Sequence, residues 1–577
     1  MRWILVAAGL LMANMAWSAP AAWIAESDAH ALAVLKAQAA FQPEGASAAG
    51  LSEFDTAVMD LGPNLYAREQ AADRATLDAL DKALAEATDT RVRQDLAILR
   101  QSVADGIASR EIDHRLMLPY AALHEGLFHS FNRLLDPRND ASRYAAALIR
   151  LRRYAGLEAG FAPLVDQAQA LARERFDDAG LVGPWRAEVE NDLTNAPRFI
   201  AGMRQLFERA GLKDWEAPFA ALEKQLNAHA AWVKAQILPR ARADNRLPEE
   251  LYADNLKQFG VRETPERLIE QAQAAYQANA SEMKAVARQI AARNGWKEAD
   301  LVSVIRQLKQ QTIAPDAVLG VYTGRLKELE AIIRREKIVT LPERAASIRL
   351  ATEAESAATP ASFMSPPQLI GNTGQYGEFV LVQSNPGQGE GAQMDDFNHD
   401  GIVWTLTAHE ARPGHELQFA SMVENGVSLA RSLFAFNSAN VEGWGLYAEA
   451  VMYEHLPLEG QLFSLYSRAW RAARMFLDPM VNTGRMTRDD AARFLEEHLA
   501  MSPAMAASEA DRYAYRMPGQ ATAYYYGYQK LMALRTEVEI RLGDAFDQRA
   551  FHDAVIAQGL LPPQMLREAV MAALSVH

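Results

Sequence analysis

The sequence predicts a mainly α-helical protein, large and two-lobed, with a small β insertion beside the helix that carries the motif HEARPGH. Three observations predict this class. Apolar residues recur at i, i+3 and i+4 through most of residues 25–345. A chain of 577 residues is too long for one ordinary core and divides into two or more large subdomains. A single β-rich run, GEFVLVQ at 377–383, interrupts helical patterns that resume and continue to the C-terminus.

In chain order, residues 1–21 (MRWILVAAGLLMANMAWSAPA) read as a secretory signal. Arg2 gives a short positive start, Ile4 to Trp17 an apolar stretch, and Ala19-Pro20-Ala21 a small-x-small cleavage site. About 14 apolar residues are short for a hydrocarbon layer of about 30 Å, so a cleaved signal outranks a membrane anchor. The chain has no cysteine, which excludes a lipobox at this signal, disulfides and thiolate metal ligands. A periplasmic or secreted protein without stable membrane insertion is expected. A net charge of −14 with pI near 5.5 argues against nucleic acid or an anionic membrane as partner.

The N-terminal helical region runs over 22–345. RATLDALDKALAEA (74–87), APFAALEKQLNAHAAWVKAQIL (217–238) and the stretch 265–295 show helical periodicity, and GPW (183–185), LPR (238–240) and LPEE (247–250) break it. The second region, 346–577, opens with prolines and the strand at 377–383. A polar Gly-rich loop at 384–401 follows, of the kind that borders functional clefts.

The stretch TLTAHEARPGHELQF (405–419) carries the chemistry. The zinc-peptidase pattern H-E-x-x-H places two histidines four apart on one helix face. Here His409 and His415 are six apart, which in a regular helix leaves them roughly 120° from each other. Pro413, however, lacks the N–H that would bond the His409 carbonyl, and its ring clashes there. Gly414 tolerates the dihedrals such a distortion needs. A helix bent between 410 and 415 would re-aim His415, with Glu410 beside it as a general base. Catalytic zinc takes three protein ligands and a water. NVEGWGLYAEAVMYEH (440–455) supplies Glu442 and, seven residues on, Glu449 on the same face. One could ligate while the other holds a histidine ring; the bland alternative is two solvated helix charges.

Two further stretches compete for attention. HEGLFH (124–129) has His124, Glu125 and His129, but nothing bends that helix, and it reads as an amphipathic helix with surface histidines. YAYRMPGQATAYYYGYQK (513–530) places Tyr524, Tyr525, Tyr526 and Tyr528 after a Pro-Gly turn. Most of these are packing residues, yet one hydroxyl aimed into a cleft would steady an oxyanion. Arg512 and Arg516 could bind a substrate carboxylate bidentately.

In this order the motifs resemble a bacterial family, the domain-of-unknown-function family numbered 885. Its HExxPGHxxQ matches His409, Glu410, Pro413, Gly414, His415 and Gln418. Its EGWxLYxE matches Glu442, Gly443, Trp444, Leu446, Tyr447 and Glu449, and its ExxRY…PGQAxxYxxG matches Glu509, Arg512, Tyr513, Pro518 to Ala521, Tyr524 and Gly527. GLVGPWRAEVE (180–190) and LPRARADNRLPEELYADNLKQFGV (238–261) extend the likeness over the mature chain. The family is similar to helical zinc metallopeptidases of the gluzincin type. That likeness implies one zinc ion on His409, His415 and Glu442, with Glu410 as base and Tyr524 as the family tyrosine. Glu449, Gln418, Arg512 and Arg516 then stand as supporting or substrate-binding residues. One departure is NTGRM (482–486), with Asn482 and Arg485, where many members have D-x-G-x-H and its histidine.

The resulting expectation is a zinc peptidase of short or unfolded peptides, with GEFVLVQ binding an extended substrate by strand addition. The alternatives are a zinc hydrolase of non-peptide amides or esters, and a non-catalytic periplasmic binding protein with a decayed site. The intact His-Glu-His-Glu set argues against decay.

Overall fold

Helices Pro265–Asn294 and Leu458–Asn482 lie against each other along their lengths in the computed structural model. Small side chains permit that approach: Ala272, Ala280 and Ala287 on one helix and Ala469, Ala472 and Ala473 on the other are buried. Leu268, Met283, Ile290, Leu465 and Phe476 fill the space around them. The structure describes residues 21–358, 362–372, 374–375, 377–383 and 395–575. Residues 1–20 of the proposed signal (1–21) and 384–394 of the Gly-rich loop (384–401) lie outside the described residues.

Twenty-three α-helices make up most of the described residues, so the protein is mainly α, as the periodicity predicts. Local chemistry sets their ends. The Thr264 hydroxyl accepts from the Arg267 N–H and Pro265 occupies the first helical turn, while Gly295, at φ +67°, ends the helix in the left-handed region. The stretch at 217–238 is helix Glu216–Trp232 prolonged by a π-turn, Val233–Ile237. No helix among the described residues is long and apolar enough to cross a membrane.

Among the described residues the β insertion holds three strands, β1 (Ser347–Leu350), β2 (Phe363–Ser365) and β3 (Glu378–Leu381), in the order β1-β3-β2. β3 is the run foreseen at 377–383; β1 and β2 are too short to show alternation in sequence. β1 pairs with β3 in parallel, Ile348 opposite Phe379, and β2 pairs antiparallel, Met364 opposite Phe379. This overturns the expectation of peptide binding by strand addition to GEFVLVQ. Both edges of β3 are already paired, so its backbone offers no free ladder. Phe379 and Leu381 share a core with Ile402, Val403 and Leu406, which sets the sheet against the motif helix.

Cores are shared across residue 345. The largest draws on residues from Tyr252 to Leu326 and from Phe379 to Tyr526. Ala31, Val34, Leu96 and Leu99 pack with Leu429 and Ala430 in another. Beneath it the buried Asp95 accepts from Ser27 Oγ (2.6 Å), Ser428 Oγ (2.6 Å) and Arg431 Nε (2.8 Å), joining the first helices to the second half of the chain. A further core draws on residues from Leu123 to Leu226 and takes in Ala354 from beyond residue 345.

Candidate metal centre

Helix Asp400–Glu410 stops where Pro413 forbids its continuation, and helix His415–Asn425 begins two residues later. The Arg412–Pro413 bond is cis. A Cβ on Gly414 would lie 1.9 Å from the His409 carbonyl oxygen, so only glycine fits. Trp444 Nε1 donates to the carbonyl of Pro413 (3.0 Å), which the break frees, and to that of Gly414 (3.2 Å), which also accepts from the Gln418 N–H. The buried Arg412 anchors the turn, donating from Nε to Glu416 (2.6 Å) and from Nη1 to Glu330 (2.7 Å). The break therefore does what the proline predicts: the imidazoles of His409 and His415 face each other, centroids 4.6 Å apart at 85°.

Two glycine contacts bring the third and fourth elements in. Helix Ser438–Met452 crosses helix Ala523–Leu542 at Gly443 and Gly527, where a Cβ on Gly443 would meet the Gly527 carbonyl carbon at 2.6 Å. Glu442 precedes that crossing and Tyr524 lies one turn before it, so the crossing positions both. Gly445 lies beneath the histidines, and a Cβ there would be 2.7 Å from His409 Cε1 and 2.8 Å from His415 Cε1.

Glu442 Oε2 is 3.4 Å from His409 Nε2 and 3.3 Å from His415 Nε2. Atoms bound tetrahedrally to zinc at about 2.0–2.1 Å are themselves about 3.3–3.4 Å apart, so these three suit one such ion. On its far side His409 Nδ1 meets Glu449 Oε1 at 2.6 Å, the carboxylate–histidine pairing that orients a metal ligand. The Glu410 carboxylate also comes within 4.8 Å of both histidines. Glu442 touches both Nε2 atoms, which leaves Glu410 free to act on a water.

The electrostatics follow from burial and from these contacts. Burial disfavours a charged His409, but its bonds to Glu442 and Glu449 outweigh that and push it up to about 9. Burial likewise opposes ionisation of Glu442, and the two imidazoles reverse this, holding it well below the carboxylate range. The site thus keeps positive charge on a histidine that a cation would replace. Glu410 is raised, chiefly by burial, as a general base needs.

Tyr524 stacks over His409, centroids 6.4 Å apart, and its hydroxyl accepts from Arg512 Nη1 at 3.2 Å. Burial, then the Glu442 charge, raises its phenol above the ordinary value and keeps it protonated. Arg512 follows helix Pro503–Asp511 in a π-turn, Arg512–Arg516, a distortion common at functional sites.

Other residues singled out in the sequence do different work. Gln418 Nε2 donates to Asn440 Oδ1 at 3.0 Å, tying helix His415–Asn425 to helix Ser438–Met452. Arg516 lies over the Tyr515 ring, and the charges acting on it include Asp511 and Glu125, whereas Glu442 acts on Arg512. In HEGLFH, His124 is buried and bonds the Leu226 carbonyl (3.2 Å), so it is not the surface histidine expected; His129 pairs loosely with Glu125 at 3.6 Å. In NTGRM, Asn482 Nδ2 bonds Asp478 and the Tyr513 carbonyl, both at 3.0 Å, while Arg485 pairs at the surface with Glu266 (2.9 Å). Asp478 accepts from Tyr252 and from the Gly519 N–H, both at 2.9 Å, so this segment supports the Pro-Gly turn before Tyr524.

Sequence reasoning missed Arg471 and Arg474. Both are buried on helix Leu458–Asn482, and both guanidinium groups lie over the Tyr524 ring, 5.9 and 4.4 Å from its centroid. The signal was available in RAWRAAR (468–474): arginines three apart on the buried face of an apolar helix.

Two solved structures share the fold. The chain is similar to "the putative lipoprotein from Colwellia psychrerythraea" at 17% identity and a TM-score of 0.78, covering 96% of this chain and 99% of that one. It is similar to "a putative lipoprotein of unknown function from Shewanella oneidensis" at 20% identity and a TM-score of 0.71, covering 96% and 100%. A comparison with curated proteins finds no match. The family model described as "Bacterial protein of unknown function (DUF885)" matches residues 43–570.

Proposed function

The chain belongs to this family of bacterial proteins of unknown function, so its activity has to be read from its site, and we propose that it is a zinc-dependent peptidase of short or unfolded peptides. The observation that carries the reading is the approach of Glu442 Oε2 to both histidine Nε2 atoms at 3.3–3.4 Å, with Glu449 behind His409. Zinc bound there would supply Lewis acidity to a water and to the scissile carbonyl.

This chain's own groups would do the rest. Glu410 takes a proton from the attacking water and returns it to the departing amine, and its raised pKa suits both transfers. The Tyr524 hydroxyl, whose oxygen already accepts from Arg512, is free to donate its proton toward the developing oxyanion. Glu449 fixes the orientation of His409. The burial of His409, Glu410, His415 and Tyr524 favours an extended short chain over a folded protein as substrate. The signal-like residues 1–21 favour work in the periplasm or outside the cell. Both structural relatives are described as lipoproteins, but this chain has no cysteine to carry a lipid at that signal.

Purified wild-type protein is expected to hold about one zinc by elemental analysis and to cut a peptide library, read by mass spectrometry. Glu410→Gln is expected to hold the same zinc and cut at least about 10²-fold more slowly. A His409→Ala/His415→Ala double variant with stoichiometric zinc, or a Glu410→Gln variant as fast as wild type, overturns the reading.

A further inference from the structure

Three guanidinium groups converge on one phenol beside the histidines. Arg512 bonds the Tyr524 hydroxyl at 3.2 Å, while Arg474 and Arg471 lie over its ring. The carboxylates within bonding reach of them are fewer. Glu509 takes Arg474 bidentately at 2.6 and 2.7 Å and reaches Arg512 only at 3.6 Å. Glu449, already bonded to His409, is 4.0 Å from Arg471. Glu442 adds its charge to Arg512 and Glu410 to Arg471, so what the cluster lacks is hydrogen-bond acceptors rather than negative charge. Two N–H groups have none: Arg471 Nε and Arg474 Nη1 are buried without a hydrogen-bond acceptor.

A guanidinium donor left unmet in a low-dielectric interior is costly and calls for an acceptor from outside the chain, a ligand, an ion or a water; beside the histidines a ligand can supply it. The acceptor that answers two guanidinium N–H donors at once, one oxygen to each, is a carboxylate. We propose that Arg471 and Arg474, the two arginines with unmet donors over the Tyr524 ring, receive the C-terminal carboxylate of a peptide, so that the protein cleaves at the carboxyl ends of chains. The inference rests on the peptidase reading and adds the substrate class to it. A chain end suits the place better than an internal acidic residue. Arg471 and Tyr524 are each only 6% exposed, and a chain continuing past them would have to displace the buried Arg471, Arg474 and Glu509. Arg471 stands near the histidines through Tyr524: its guanidinium is 5.9 Å from the Tyr524 ring centroid, and that ring stacks on His409 at 6.4 Å.

The test measures binding by calorimetry to the zinc-loaded Glu410→Gln protein, with three acetylated tripeptides. One ends in a free carboxylate, one in an amide, and one in an amide after a glutamate. The free acid is expected to bind at least about 10-fold more tightly than the plain amide, a preference that Arg471→Gln reduces to within about 2-fold. Equal affinity of acid and plain amide overturns the subsite, and needs no arginine variant to fold. A glutamate amide that binds as tightly as the acid assigns the arginines to an acidic side chain and overturns the chain-end assignment. Turnover by the wild type separates this inference from the reading beneath it. Equal hydrolysis of acid and amide sinks the subsite and leaves the peptidase. Acid-selective binding with neither peptide cut sinks the peptidase and leaves the anion site.

Discussion

Gly445 shows how tightly single positions are held at the candidate metal centre. Its missing side chain is the space that the His409 and His415 rings occupy, with Cε1 atoms 2.7 and 2.8 Å from where a Cβ would lie. Both rings are buried, and His409 is held from behind by Glu449, so a methyl there presses on a ring that is fixed in place. Gly445→Ala is therefore expected to weaken zinc binding at least about 10-fold, since ligand displacement of a few tenths of an ångström spoils the coordination distances. Far-ultraviolet circular dichroism should stay near that of the wild type. A variant that retains zinc through chelator titration like the wild type would show that the rings move freely. His409 and Glu410 are legible in sequence because His-Glu before Pro-Gly has a mechanical meaning. Gly445 is not, because a glycine needed for a contact across helices looks like any other.

The elements around the site are joined by a buried ion network whose pH response has a definite sign. Glu509 accepts from Arg474, from Trp470 Nε1 (3.1 Å) and from the Tyr513 hydroxyl (2.9 Å), linking helix Pro503–Asp511 to helix Leu458–Asn482. Burial opposes its ionisation, but Arg474 and Arg512 outweigh burial and hold it down at about 2 against an ordinary 4.5. A carboxylate depressed on folding adds stability above its unfolded pKa and loses it as pH falls toward its folded one. The stability difference between wild type and Glu509→Gln should thus be largest above about pH 4.5, on the order of 3 kcal/mol, and shrink toward pH 2. Urea titrations at several pH values give that difference; a gap that is constant with pH would mean Glu509 is not ionised by its arginines. At this scale the sequence predicts the break at Pro413 and the strand at 377–383. It does not reveal that β3 is central, because pairing partners are chosen by segments that are distant in the chain.

Over the whole molecule, the first helices are fastened to the second half of the chain through Asp95, which is fully buried and satisfied by Ser27, Ser428 and Arg431. Asp95→Ala would leave the Arg431 cation buried with its Nε lacking its partner, at a cost of about 3–5 kcal/mol. The first urea transition should shift to markedly lower denaturant, and an unchanged midpoint would show that the N-terminal helices contribute nothing to the stability of the remainder. Sequence alone determined the helical class, the proline break and the identity of the zinc-ligand candidates, because periodicity, imide chemistry and ligand type are properties of residues and near neighbours. Only the tertiary structure decided that Glu442 faces both imidazoles, that Glu449 stands behind one of them, and that three arginines surround Tyr524. Those relations depend on how closely helices cross at Gly443 and Gly527. That closeness depends on side chains absent from two segments more than eighty residues apart, which no local pattern records.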